Sequence, residues 1–170
     1  HIALLRGVPH FLPYDARARA VRELERKQAS APKIDAGFWT QLGPAPIPNG
    51  QIAVGPSTAV SGRVAAIAVH PGNPNLVYVG AAQGGVYRSL DGGATWTPIF
   101  DGAQSLAIGA LALAPSNPEI LYVGTGEADM RSDIAQGEGL YKSTDGGRSW
   151  TFSGLADSQQ IARILVYPTD

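Results

Sequence analysis

The chain contains no cysteine. Disulfides, and any metal or nucleophile chemistry that needs a thiolate, are therefore excluded within it, while the compartment stays open. No apolar run approaches the roughly 20 residues that a membrane-spanning helix requires. Charge is sparse and nearly balanced, with 13 basic and 14 acidic residues, so the chain carries no polyelectrolyte tail. The imbalance is regional. Residues 1–30 hold six basic and three acidic side chains, and the remainder holds seven and eleven. That remainder has no basic stripe to track a phosphate backbone, which argues against a nucleic-acid partner. Residues 1–11 are apolar but lack the charged start and small-residue cleavage site of a signal peptide.

Glycine and proline are plentiful, at 21 and 13 residues, and they recur in fixed places. The pattern S-x-D-G-G-x-[ST]-W occurs at 89–96 and again at 143–150. Each copy sits between two β-rich runs. Asp-Gly in that setting is a strong hairpin signal, because glycine accepts φ > 0 without steric cost. Ser89 and Asp91, with Ser143 and Asp145, are expected to bond turn N–H groups. Gly93 and Gly147 are expected to take the left-handed positions, and Trp96 and Trp150 to lay their rings on the buried face of the hairpin. Neither copy offers oxygen ligands at alternate positions, so no calcium loop, metal or other cofactor is expected.

The repeat extends upstream. Residues 66–80 align with 110–124 at an offset of 44, whereas the Asp-Gly-Gly turns are offset by 54. The second unit thus carries ten extra residues before Gly139. A period in the forties with four short strands per unit predicts an all-β fold of β-propeller blades. The expected strands are 64–70, 76–82, 85–90 and 95–100, then 109–114, 120–124, 138–143 and 149–153. The blades span about 62–100 and 106–153, and a third begins near 161.

These units resemble BNR, or Asp-box, repeats, found in sialidases, xyloglucanase-type glycoside hydrolases and sortilin-type receptors. The resemblance covers about 38–170 and rests on both boxes standing in register with Y-V-G and G-[VL]-Y-[RK]-S. It is similar above all to large secreted bacterial proteins of the sortilin-like or BNR-repeat glycosyl-hydrolase kind. It implies a fragment of a longer propeller whose remaining blades are its partners, located outside the cell or in the periplasm. It specifies fold better than activity.

Residues 1–37 read as an extension, with a short helix over 14–28 and a linker after it. Trp39 in 38–44 resembles an outer strand without its first three, expected to complete the last blade of a closed propeller. Residues 44–59 read as a Pro/Gly/Asn-rich loop.

The inserted stretch, 125–138, concentrates acids: Glu127, Asp129, Asp133 and Glu138, with Arg131 among them. Loops at this position open near the central channel of a propeller, so these five, with Arg63 at the start of the first blade, are the candidate ligand-binding residues. Glu127, Asp129 and Asp133 are the candidate catalytic acids. His70, at a strand end, reads as a turn residue. Two functions follow. One is a binding scaffold for a protein or carbohydrate ligand. The alternative is glycoside hydrolysis, using acids of this loop and of further blades. The sialidase F/Y-R-I-P motif is absent, and Arg63 lies in Gly62-Arg63-Val64 instead. The xyloglucanase-type T-D-x-G-G-x-Y segment corresponds to 81–87, where Ala82 occupies the acid's place. Both departures favour binding.

Overall fold

The computed structural model describes residues 16–30, 47–50, 58–129 and 134–169. Among the described residues one helix, α1 (Ala16–Ser30), precedes ten strands: β1 (Ile47–Gly50), β2 (Thr58–Val60), β3 (Val64–His70), β4 (Asn73–Ala81), β5 (Gly85–Ser89), β6 (Thr97–Pro98), β7 (Ile108–Ala114), β8 (Asn117–Thr125), β9 (Leu140–Ser143) and β10 (Thr151–Phe152). β3 to β6 form one four-stranded antiparallel sheet in sequential order, and β7 to β10 form a second. The two ladders repeat each other. Ala66 faces Gly80 and Ile67 faces Val79 in the first; Ala110 faces Gly124 and Leu111 faces Val123 in the second. The fold is all-β, built of two propeller-type blades with one short helix.

Three expectations shift. β4 and β8 begin three residues earlier than the propensity reading places them. Asn73 and Asn117 explain this, because each accepts a bond from the N–H two residues on (Asn75 at 3.1 Å, Glu119 at 3.2 Å) and carries the proline into the strand. The stretch 44–59, read as loop, contains the antiparallel pair β1–β2, with Ile47 opposite Val60. Its prolines and glycines outweighed two short extended runs in the sequence reading. Residues 161–169 form no strand, although Ile161 donates its N–H to Thr125 O and lies against Gly124 much as Ile108 lies against Gly80. Trp39 lies outside the described residues.

Each box turn closes on its own side chains. Ser89 Oγ donates to Asp91 Oδ1 at 2.7 Å and accepts from Gly93 N at 2.8 Å. Asp91 accepts from Thr95 N at 2.8 Å and Thr95 Oγ1 at 2.6 Å. Ser143, Asp145, Gly147 and Ser149 repeat these four bonds at 2.8, 2.9, 2.9 and 2.6 Å. The aspartate therefore bonds the turn as expected, reaching four residues ahead. Its geometry requires two successive left-handed residues, Gly92 (φ 71°) and Gly93 (φ 99°), with Gly146 and Gly147 at 69° and 83°.

The core lies between the sheets. Val86, Phe100, Ile108 and Val123 form its buried centre, flanked by Ile99, Leu106, Leu111, Tyr141 and Trp150. Phe100 meets both Tyr141 and Trp150 edge-on, at 5.1 and 5.0 Å between ring centroids. Trp150 Nε1 donates to Ile99 O at 2.7 Å. The Trp of the second box thus serves the neighbouring sheet. Trp96, expected to be buried in the same manner, is 41% exposed.

Hydrogen bonds from the Thr95 and Ser149 side chains, the largest cause in each case, hold Asp91 at about 2 and Asp145 lower still. A folded-state value below the unfolded one (near 4) stabilises the fold above pH ~4, and that stabilisation is lost as pH falls from about 4 through about 2. Acid denaturation followed by circular dichroism should show a shallower loss of stability across this window for D91N/D145N than for the native chain. Each single Asp→Ala change should lower Tm by several degrees.

Candidate ligand-binding site

The inner strands β3 and β7 begin at one end of the sheets, and the β4–β5 turn and the β8–β9 connection lie at that same end. The two box turns lie at the other. Arg63, just before β3, fixes its main chain by accepting Ala82 N at 2.9 Å. Ala107 and Gly126 repeat that bond at 2.7 Å in the second sheet.

The described flanks of the insertion are stapled to the sheets. Thr125, fully buried, donates its hydroxyl to Gly139 O at 2.7 Å and accepts from Glu138 N at 2.8 Å. Glu127 N donates to Ala135 O at 2.9 Å, Gly137 N to Gln159 O at 2.7 Å, and Ser105 Oγ to Gln136 O at 2.9 Å. Sequence reasoning missed Thr125 and Ser105 as anchors. The signal was weak: a hydroxyl at a strand end, where the first unit has Ala81 and no insertion to hold.

This stapling carries two acids across to the first sheet. Glu127 is 0% exposed and pairs with Arg63 Nη2. Asp129 Oδ2 accepts from Arg63 Nη1 at 3.0 Å, with its side chain 63% exposed. One guanidinium from the first repeat therefore grips two carboxylates of the second. Burial of Glu127 demands such a cation, since an unpaired buried carboxylate is strongly unfavourable. Glu127 Oε2 has no hydrogen-bond partner. Of the six candidate ligand-binding residues, then, Arg63, Glu127 and Asp129 come together. Glu138 lies at the base of β9, close enough to add to the raised pKa of Tyr141, whose main cause is burial. Arg131 and Asp133 lie outside the described residues.

Glu127, a candidate catalytic acid, is buried and tied to a cation. Asp129 is the acid of the described loop that meets water freely. Among the described residues no group of three or more His, Asp or Glu could hold a metal ion. His70 accepts Gly72 N at 3.1 Å and belongs to its turn. Beside Arg63 a hollow of about 770 Å³ opens on the first sheet, lined by Val64, Val79, Gln83, Tyr87 and Trp96.

No protein-family model and no curated protein matches the chain. Among solved structures it is similar to an ancestral GH74 enzyme (25% identity, TM-score 0.47), a GH74 enzyme from Niastella koreensis (26%, 0.45) and the GH74 xyloglucanase from Xanthomonas campestris (28%, 0.40). The matches cover 59%, 57% and 53% of this chain. They cover only 14%, 14% and 13% of those proteins, so the chain spans about one-seventh of their length.

Replacing Arg63 by Ala leaves Glu127 buried without its cation. Chemical denaturation of R63A should show a loss of roughly 2–4 kcal/mol, and E127Q in the same chain should recover part of it. Equal and additive losses would remove the clamp from the account.

Proposed function

We propose that this chain is part of a β-propeller binding scaffold that presents a carbohydrate or protein ligand site at its loop-bearing end. The observation that carries this reading is the Arg63 clamp. It spends the guanidinium and one carboxylate on joining two repeats, and leaves Asp129 with the rim of Arg63 facing water. Hydrolysis by paired carboxylates needs two accessible acids spaced about 5–9 Å apart. Of the described acids of this loop, Asp129 is exposed, Glu138 half-buried and Glu127 buried.

The same clamp sets the preferred ligand. One cation and two carboxylates leave a net negative site, and both terminal nitrogens of Arg63 are already engaged. Hydroxyl-rich neutral glycans and basic peptide segments suit it; a ligand bearing a carboxylate meets like charge. Such a scaffold would work outside the cell or in the periplasm. Among the described residues no helix is long and apolar enough to cross a membrane.

Glycoside hydrolysis, in the xyloglucanase or sialidase manner, remains the alternative, and one observation favours it: Asp129 is the exposed acid such chemistry would need. A glycan array read together with oligosaccharide hydrolysis separates the two. The scaffold reading expects binding without turnover, with neutral glycans preferred over acidic ones and D129N weakening affinity about tenfold. Turnover lost in D129N would establish the hydrolase.

A further inference from the structure

The dipeptide Asp-Gly occurs three times in the chain, at 91–92, 101–102 and 145–146. It is chemically reactive. Glycine has no Cβ to shield its amide nitrogen, so that nitrogen can reach the side-chain carboxyl of the preceding aspartate and close a five-membered ring. The box turns withdraw both partners from this reaction. Asp91 is bound by Ser89 Oγ, Thr95 N and Thr95 Oγ1 at 2.7, 2.8 and 2.6 Å, and Gly92 N is engaged by Asn75 O at 2.9 Å. Asp145 is bound by Ser143 Oγ, Ser149 N and Ser149 Oγ at 2.8, 2.9 and 2.6 Å, and Gly146 N is engaged by Glu119 O at 3.0 Å. Gly146 is held by its carbonyl as well, which accepts from Arg88 Nη1 at 3.0 Å and Tyr78 OH at 3.4 Å of the preceding sheet. The same bonds keep both aspartates ionised, and a carboxylate is a poorer electrophile than a carboxylic acid.

Asp101 and Gly102 share none of this protection. They lie in the turn after β6, and both are exposed. Among the described residues nothing donates to the Asp101 carboxyl, and Gly102 N reaches no acceptor. The bond that closes the turn passes over them, from Ala103 N to Phe100 O at 3.2 Å. A Cβ placed on Gly102 would meet nothing within 4 Å, so the Asp101 side chain has room to swing onto the nitrogen. The neighbour on the other side is Phe100, on which the Tyr141 and Trp150 rings pack.

We propose that Asp101-Gly102 is a site of self-modification, at which Gly102 N attacks Asp101 Cγ and the chain passes through a succinimide to an isoaspartyl link. The N–Cγ bond forms as the amide hydrogen and the side-chain hydroxyl leave together as one water. A water then adds at the Asp101 main-chain carbonyl carbon and breaks its bond to the nitrogen. No oxidant, metal or second substrate enters, and the mass is unchanged. The product carries the chain through Cβ and Cγ, which puts one extra backbone carbon between Phe100 and Gly102 and leaves the old main-chain carboxyl as a side group. The change therefore falls beside the contact that joins the two sheets. The inference is independent of the ligand-binding reading, because it rests on three turns and their hydrogen bonds alone.

The test holds the whole chain at physiological temperature and neutral pH for weeks, digests it, and reads it by electron-transfer fragmentation, which locates an isoaspartyl link by its own backbone ions. Isoaspartate is expected at Asp101, forming at least about tenfold faster than at Asp91 or Asp145, because reaction in a box must break several hydrogen bonds at once. In denaturant the three rates should converge. Asn49-Gly50 reacts by the analogous route with loss of ammonia, and the resulting change of mass keeps it separate. Equal rates at the three sites of the folded chain, or no isoaspartate at Asp101, would overturn the proposal. So would a difference that persists in denaturant, which would place the cause in the neighbouring residues rather than the fold. Gly102→Ala gives a second reading, since the added methyl meets open space in the fold yet shields the nitrogen. It should melt as the native chain does and form isoaspartate at Asp101 far more slowly; an undiminished rate would contradict attack by that nitrogen. The isoaspartyl form, separated by chromatography, should melt below the unmodified chain, and identical melting would show that the change does not reach the Phe100 contact.

Discussion

The apolar contact that joins the two repeats is built on the end of one outer strand. Ile99 and Phe100 close the first sheet and at once become the floor of the second. Phe100 receives two aromatic edges, and Ile99 gives its carbonyl to the Trp150 indole. A four-stranded antiparallel sheet with outer strands of two residues cannot bury both of its faces by itself. Its stability comes from the neighbour, as in any array whose units contact only the units beside them. The box turn fits this logic. Its Ser, Asp and Gly residues make a rigid local loop, and that rigidity aims the Trp and the Gly carbonyl at the adjacent sheet.

The polar joint at the other end works differently. Arg63 and Glu127 come from different repeats, and the pair exists because an insertion in one reaches the strand start of the other. Removing a charge from water costs more than a simple ion pair returns, so such a joint adds registration more than net stability. It is also unsymmetrical. The first unit has a tight turn, 82–84, where the second has its insertion. Chemical individuality in this repeat thus enters through loops, while the strands and boxes stay interchangeable.

Much of this was legible in the residues. The boxes, the 44- and 54-residue offsets and the four-strand units follow from glycine, aspartate and β-branched positions, and their ladders form in the order the pattern gives, with β4 and β8 starting earlier and the outer strands shorter. The Arg63 end was legible only as a list: the acids of the insertion could be named, but which of them crosses to the other repeat depends on the Thr125 and Ser105 staples. Burial of Glu127 was not legible at all, because a Gly-Glu-Ala-Asp loop reads as solvated until its backbone partners are known. Trp96 shows the converse. Its box is the same as that of Trp150, yet among the described residues no second sheet packs on it as the first packs on Trp150, and it stays 41% exposed.

The measurement that bears most directly on this account is a paired stability comparison by chemical denaturation of Trp150→Phe and Trp96→Phe. The boxes are alike, so a locally acting Trp would cost the same in both. If the Trp serves the adjacent sheet, Trp150→Phe loses the bond to Ile99 O and part of its contact with Phe100, at about 1–3 kcal/mol. Trp96→Phe should then stay within roughly 0.5 kcal/mol of the native chain. Equal losses at the two positions would contradict the account.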